Sequence, residues 1–230
     1  MKTFRQLSLP GLTLLLTFCV TVPFAADKPD AKDWSVLFDG QSTDALRGYK
    51  TNAFPDKVWL VEDGALHAIP GRGVDLVTRE KFKDFELELE WKVAPGGNSG
   101  VIYRLSEDVP GPAWHTGPEM QVFDDSRLKG PSTHSAGALY DLIVPNDKAK
   151  ANPVGEWNRF KVVFKNNHVE HWLNGGKIVE YTWGSPEIQE LIAKSKFAKL
   201  EKFMKDEEGL IAFQHHGQEV WYRNIRIRKL

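Results

Sequence analysis

Three stretches of this chain carry polar groups where a strand packed on a core would not want them. They are residues 95–104 (Pro-Gly-Gly-Asn-Ser-Gly-Val-Ile-Tyr-Arg), 117–125 (Gly-Pro-Glu-Met-Gln-Val-Phe-Asp-Asp) and 210–217 (Leu-Ile-Ala-Phe-Gln-His-His-Gly). Side chains alternate between the two faces of a strand, so parity sorts them. Met120 and Val122 take the core face of the second stretch, and Glu119 and Gln121 point the other way together. Val101, Tyr103 and Leu105 are core-like in the first, which sets Arg104 opposite. In the third, Ile211 and Phe213 share a face with His215, while Gln214 shares the other with His216. Glu119, Gln121, Arg104, Gln214 and His216 are therefore expected on one polar surface. A carboxyl, an imidazole, a guanidinium and two amides are the equipment of proton transfer to and from a bound molecule. Each residue alone reads more simply as part of a wetted strand. The set does not, because long charged side chains, not Gln and His, cover a merely wet sheet.

Further groups admit plainer roles. Glu86, Glu88 and Glu90 share one strand face, like the acidic strand of laminarinase-type glycosidases. Retaining glycosidases need two carboxyls only ~5–5.5 Å apart, and neighbours at i and i+2 lie roughly 6.6 Å apart along a strand. Alternation with Phe85, Leu87, Leu89 and Trp91 makes an outward, structural face the favoured reading. Arg223 shares parity with Ile225 and Ile227, so it either points inward or a bulge intervenes, and a structural ion pair is expected for it. His171, between Val169 and Leu173, reads as a packed histidine. His134 stands in a loop, residues 132–141, and is a better site candidate. His215 and His216 face opposite ways and cannot readily share a metal. No serine-hydrolase elbow, phosphate loop or dinucleotide fingerprint is present.

The elements that must position these groups are strands. Residues 161–165, 168–173 and 177–181 form a meander broken by Asn166-Asn167 and Asn174-Gly175-Gly176, both turn chemistry. Residues 220–228 alternate again. One segment reads as a helix, from Pro186 to about Lys205, with Ser185 as N-cap and a slip in spacing near Ser195. Many short strands and one helix predict an antiparallel β-sandwich. Residues 1–26 read as a secretory signal: Lys2 and Arg5, an apolar run, then Ala25 and Ala26. Cys19, the single cysteine, would leave with it, so the mature domain, residues 27–230, would hold no disulfide. A periplasmic or secreted location is expected. The 30 basic and 31 acidic residues form no basic run, which argues against nucleic acid, and nothing after the signal is apolar enough to span a bilayer.

Taken in order, the short motifs resemble the 3-keto-disaccharide hydrolase domain family. They are Trp34-Ser-Val-Leu-Phe-Asp-Gly40, Trp59-Leu-Val-Glu-Asp-Gly64, Gly97-Asn-Ser-Gly100, Gly117-Pro-Glu-Met-Gln121, Gly155-Glu-Trp-Asn158, His171-Trp-Leu-Asn-Gly175, Phe213-Gln-His-His-Gly217 and Arg223-Asn-Ile-Arg-Ile227. The resemblance implies a concanavalin-like jelly roll and an enzyme acting on carbohydrate. A ketone at C3 acidifies the hydrogen at C2, so a base can form an enolate that expels the aglycone from C1, and water then adds. On this reading Glu119 or His216 is the base, and Arg104 or a bound divalent ion steadies the enolate. Asp124, Asp125 and His134 are candidates for acid or metal ligand. Asn98, Gln121, Tyr140 and Gln214 would bind hydroxyls, and Trp114 or Trp157 would stack on a sugar face. A sugar 3-dehydrogenase would supply the ketone. One departure stands out: the family's Gln-Asp-His-Gly reads Gln214-His215-His216-Gly217 here. The alternatives are a non-catalytic carbohydrate-binding module and a retaining glycosidase working through Glu86, Glu88 or Glu90.

Overall fold

The computed structural model describes residues 33–230 together with Met1, so the expected signal, residues 1–26, lies outside the described segment. Thirteen strands form two antiparallel sheets. They are β1 (Ser35–Phe38), β2 (Leu46–Gly48), β3 (Trp59–Glu62), β4 (Ala65–Ala68), β5 (Leu76–Thr78), β6 (Phe85–Val93), β7 (Asn98–Leu105), β8 (Glu119–Phe123), β9 (Asn158–Lys165), β10 (His168–Leu173), β11 (Gly176–Thr182), β12 (Leu210–Phe213) and β13 (Val220–Lys229). The larger sheet runs β11-β10-β9-β6-β13-β4-β3, with β1 also paired to β13; the smaller runs β2-β5-β12-β7-β8. The expected meander is β9–β11. Among the described residues one α-helix is formed, α1 (Pro186–Lys194). It starts on the Ser185 cap and stops at Ser195, where a 3₁₀ turn over Lys196–Lys199 takes over. The break falls where the apolar spacing slips.

The two sheets meet through the faces that parity assigns. Phe85, Leu87, Leu89 and Trp91 of β6 and Phe160, Val162 and Phe164 of β9 pack towards Val101, Tyr103, Met120, Val122, Ile211 and Phe213 of the smaller sheet. Each such large side chain stabilises the fold by roughly 1.5–3 kcal/mol on burial. Within this layer the Tyr103 hydroxyl lies 2.8 Å from His171 Nε2 and 2.7 Å from the Tyr181 hydroxyl, and His171 Nδ1 donates to Gly137 O at 3.0 Å. Burial pushes His171 down to about 4, so it is a neutral core residue, as its alternation indicates.

Two bulges decide where the arginines go. In β7 one extra residue stands against β12, since Ala212 faces Ile102 but Leu210 faces Leu105. Arg104 lies in that bulge at φ 49°. Its side chain is turned into the molecule and is 2% exposed. The guanidinium stacks 3.4 Å from the Phe164 ring centroid and donates twice to Lys83 O, at 3.0 and 2.7 Å. The placement of Arg104 beside Glu119 is thereby corrected: the bulge reverses its parity. In β13 the extra residue is at Asn224, φ 52°, between Arg223 opposite Glu90 and Arg226 opposite Glu88. The bulge keeps Arg223 outward, and its Nε donates to Glu90 at 2.7 Å. Arg226 pairs with Glu88 at 3.0 Å and Arg228 with Glu86 at 2.9 Å. The three glutamates form an ion-paired ladder on the outer face of the larger sheet, which is the structural reading.

Candidate active site

The smaller sheet has a second face, turned away from the other sheet, with a minor apolar cluster of Tyr49, Val77, Ile102, Leu105, Ala113, Leu210 and Ala212 at one part of it. Beside that cluster the sheet is polar. β8 presents Glu119 and Gln121, β7 presents Asn98, and the residues just after β12 present Gln214 and His216. The backbone holds these strands tightly: Gln214 N donates to Gly100 O at 2.9 Å, and Ser99 Oγ donates to Gln214 O at 2.6 Å. A cavity of about 200 Å³ is lined by Asn98, Trp114, Glu119, Gln121, Tyr140, Lys196, Gln214 and His216. Six of these were expected from strand parity or family motif, and Trp114 was expected as a stacking residue. Lys196 was not anticipated.

Glu119 is buried, 6% exposed. Gly100 on the neighbouring strand leaves room for it: a Cβ there would overlap the Glu119 carboxyl. The Gln121 amide, in the orientation that satisfies both its ends, donates from its nitrogen to Glu119 Oε1 at 2.9 Å and to Ser99 O at 3.3 Å. Burial pushes the Glu119 carboxyl up to about 8; the charge of Lys196 works against this and that of Asp75 adds to it. At neutral pH Glu119 is therefore mostly protonated and can donate a hydrogen bond.

His216 stands exposed at the mouth. Its Nδ1 is 2.6 Å from Gln218 Oε1. An amide oxygen only accepts, so Nδ1 carries the proton and Nε2 of the neutral ring keeps a lone pair. The Asn98 amide lies 3.3 Å from the ring. Lys196 Nζ lies 4.2 Å from the centroid of the Tyr140 ring and 4.9 Å from that of Trp114. No carboxylate among the described residues forms an ion pair with it, so the aromatic faces carry its charge. The site thus gathers a buried carboxyl, an imidazole and an ammonium with no carboxylate partner among the described residues around one small cavity.

The other expected residues lie elsewhere. Asp124 accepts from Ser126 N at 3.1 Å and Gly96 N at 2.8 Å, caps the 3₁₀ turn after β8, and is buried there. Although burial works upward, those hydrogen bonds hold it below the usual carboxylate range. Asp125 accepts from Ala136 N at 2.8 Å and lines a different hollow with Pro131 and Asn146. His134 stacks on Tyr140, centroids 4.8 Å apart, and buttresses that wall of the cavity from outside. Asp124, Asp125 and His134, candidates for acid or metal ligand, do not line the Glu119 cavity, and the loop after β8 engages both carboxylates with backbone amides. Ligand atoms of His168, Glu170 and Glu180 converge within 4.8 Å on the outer face of the larger sheet, where Lys177 and Trp172 already bind Glu170. Trp157 lies on that same outer face with Arg223 at 4.0 Å and Lys92 at 5.1 Å, and it takes no part in the cavity. His215 is buried as parity indicates; its ring meets Trp59 edge-on, centroids 5.5 Å apart, and Nε2 donates to Val58 O at 3.2 Å. Asp75, which no motif marks, accepts from His215 N at 2.7 Å.

Comparison with known proteins converges on one group. Residues 33–228 match the family described as 3-keto-alpha-glucoside-1,2-lyase-like domain. A 3-keto-disaccharide hydrolase of Bacteroides thetaiotaomicron is 35% identical, the match covering 87% of this chain and 80% of that protein. A crystal structure of a candidate glycosyl hydrolase from Parabacteroides distasonis superposes with a TM-score of 0.79 at 30% identity, covering 87% of this chain and 95% of its own. The carbohydrate-binding module CBM66 of Bacillus subtilis, at 10% identity and a TM-score of 0.51 over 80% of this chain and 96% of its own, shares the fold alone.

Proposed function

This chain belongs to the 3-keto-alpha-glucoside-1,2-lyase-like domain family, and from that premise we propose that it cleaves 3-keto-glycosides by elimination followed by hydration. The observation that carries this reading is a carboxyl held protonated by burial in the same cavity as an exposed imidazole and an unpaired ammonium. A lectin uses amides and indoles like Gln214 and Trp114, but has no need of a carboxyl held protonated.

The steps follow from where these groups stand around the cavity. His216 Nε2 takes the hydrogen from C2, and the electron pair moves to the C3 oxygen. Protonated Glu119 donates a hydrogen bond to that developing oxyanion, and the Lys196 ammonium adds its charge. A carboxylic acid kept neutral at pH 7 by an apolar site is a known device for this task. The C1–O bond then breaks, and the imidazolium returns its proton to the departing oxygen. Water adds to C1 of the unsaturated ketone, giving up a proton to His216, and C2 is reprotonated. The sum is hydrolysis, with no oxocarbenium ion and no paired nucleophile. Asn98, Gln121 and Gln214 offer hydroxyl contacts, and Trp114 offers a face for a sugar ring. The ketone must come from a separate sugar oxidation.

His216→Gln, assayed on a 3-keto-disaccharide, should lose ~10²–10⁴ in turnover, the range of a positioned base. Near-normal turnover would remove His216 from the mechanism.

A further inference from the structure

One buried histidine stands outside the cavity, on the larger sheet. His67 of β4 is 8% exposed. Its neighbours follow from strand register. It lies opposite Trp221 of β13 and opposite Leu60 of β3, so Glu219 and Glu62, each two residues along, are its diagonal neighbours. The ring stacks on Trp221, centroids 4.6 Å apart and planes within 14°, which fixes where both nitrogens point. Nδ1 is 2.5 Å from Glu62 Oε1, and Nε2 is 2.9 Å from Glu219 Oε1. One imidazole therefore ties the β3–β4 hairpin to Glu219.

Glu219 is the last residue of the connection from β12 to β13, residues 214–219, which also carries His216 and Gln218. The backbone of that connection is held at two points: Gly217 O accepts from Gly71 N at 3.1 Å, and Glu219 O accepts from Ala94 N at 3.2 Å. Between them Gln218 presents Oε1 to His216 Nδ1 at 2.6 Å. The Glu219 side chain fastens the end of the connection to His67, one residue from Gln218. We propose that His67 is a positioning residue for the reaction: by holding Glu219 it keeps Gln218 in place, and through the Gln218 oxygen it keeps the His216 ring in its orientation at the mouth of the cavity. This role rests on His216 being the base, and it adds what orients that base from the other sheet. A clamp that served the fold alone would leave kinetics untouched, whereas this one reaches the cavity through a single side chain, Gln218.

Two substitutions split the clamp. An Asn amide nitrogen stands near the place of imidazole Nδ1 and a Gln amide nitrogen near that of Nε2. His67→Gln therefore keeps the bond to Glu219, and His67→Asn keeps only the one to Glu62. On a 3-keto-disaccharide His67→Asn should lower kcat by about tenfold or more with KM within roughly twofold of wild type, while His67→Gln stays within roughly threefold of wild-type kcat. Glu219→Ala removes the same contact from the other partner and should match His67→Asn. In a Gln218→Ala background His67→Asn should cost nothing more, since both act on one contact. Equal kcat in His67→Asn and His67→Gln, or losses that multiply with Gln218→Ala, overturn the role. If the wild-type protein leaves the 3-keto-disaccharide uncleaved, the elimination reading has failed by itself. NMR of the His216 ring nitrogens then decides the clamp. A proton on Nδ1 in wild type and His67→Gln, giving way to a mixture of tautomers in His67→Asn, supports the role, and any other pattern refutes it.

Discussion

Glu119 is chemically unlike a surface carboxyl because burial raises it to about 8, outweighing the nearby charge of Lys196. As a donor to the enolate it must be protonated, so activity should fall as pH rises through about 8. Glu119→Gln keeps a donor in place and removes the titration. It should retain turnover within roughly tenfold of wild type and lose the alkaline limb, whereas Glu119→Ala should lose ~10²–10³, the cost of a missing oxyanion donor. A pH–rate profile of the three proteins checks this. If Glu119→Gln falls as far as Glu119→Ala, Glu119 is acting as a base. His216 and Lys196 complete the picture: the Gln218 oxygen accepts from Nδ1, and the Trp114, Tyr140 and Phe197 rings hold the ammonium.

At the scale of elements, the site depends on three neighbouring strands and on one missing side chain. β7 passes under Glu119 at Gly100, where any Cβ would displace the carboxyl. Gly100→Ala should fold, since its backbone is in no special conformation, yet lose about 10² in turnover from a shift of roughly 1 Å in Glu119. Near-normal kinetics in a folded Gly100→Ala would show that the carboxyl position is not critical. The strands also explain what could be read from sequence. Strict alternation within β8 placed Glu119 and Gln121 together, and alternation in β6 placed Glu86, Glu88 and Glu90 outside, because nothing interrupts either strand. Arg104 failed the same rule because a single extra residue in β7 reverses its face, and no residue type there announces a bulge. Lys196 and Asp75 could not be read at all. The first hangs on a 3₁₀ turn after a helix break and the second on a segment just before β5; only the folded chain brings them to Glu119.

For the whole molecule, two buried titratable groups bend stability in opposite directions. His171 is depressed to about 4 in the fold, so the unfolded chain takes up its proton first, and stability falls as pH drops from about 6.5 towards 4. Glu119 is raised to about 8, so the fold resists its ionisation, and stability falls as pH rises from about 4.5 towards 8. Thermal melts across this range should show Glu119→Gln gaining on wild type as pH is raised from 5 to 8; parallel curves would mean that Glu119 ionises freely in the fold. The sandwich as a whole keeps its ion-paired ladder on one outer face and the Glu119 cavity on the other. The most direct test of the central claim replaces the C2 hydrogen of a 3-keto-disaccharide by deuterium. Proton abstraction by His216 predicts a several-fold slower cleavage of the deuterated compound and no cleavage of the same disaccharide left unoxidised. Equal rates for the two isotopic forms, together with hydrolysis of the unoxidised sugar, would contradict the account.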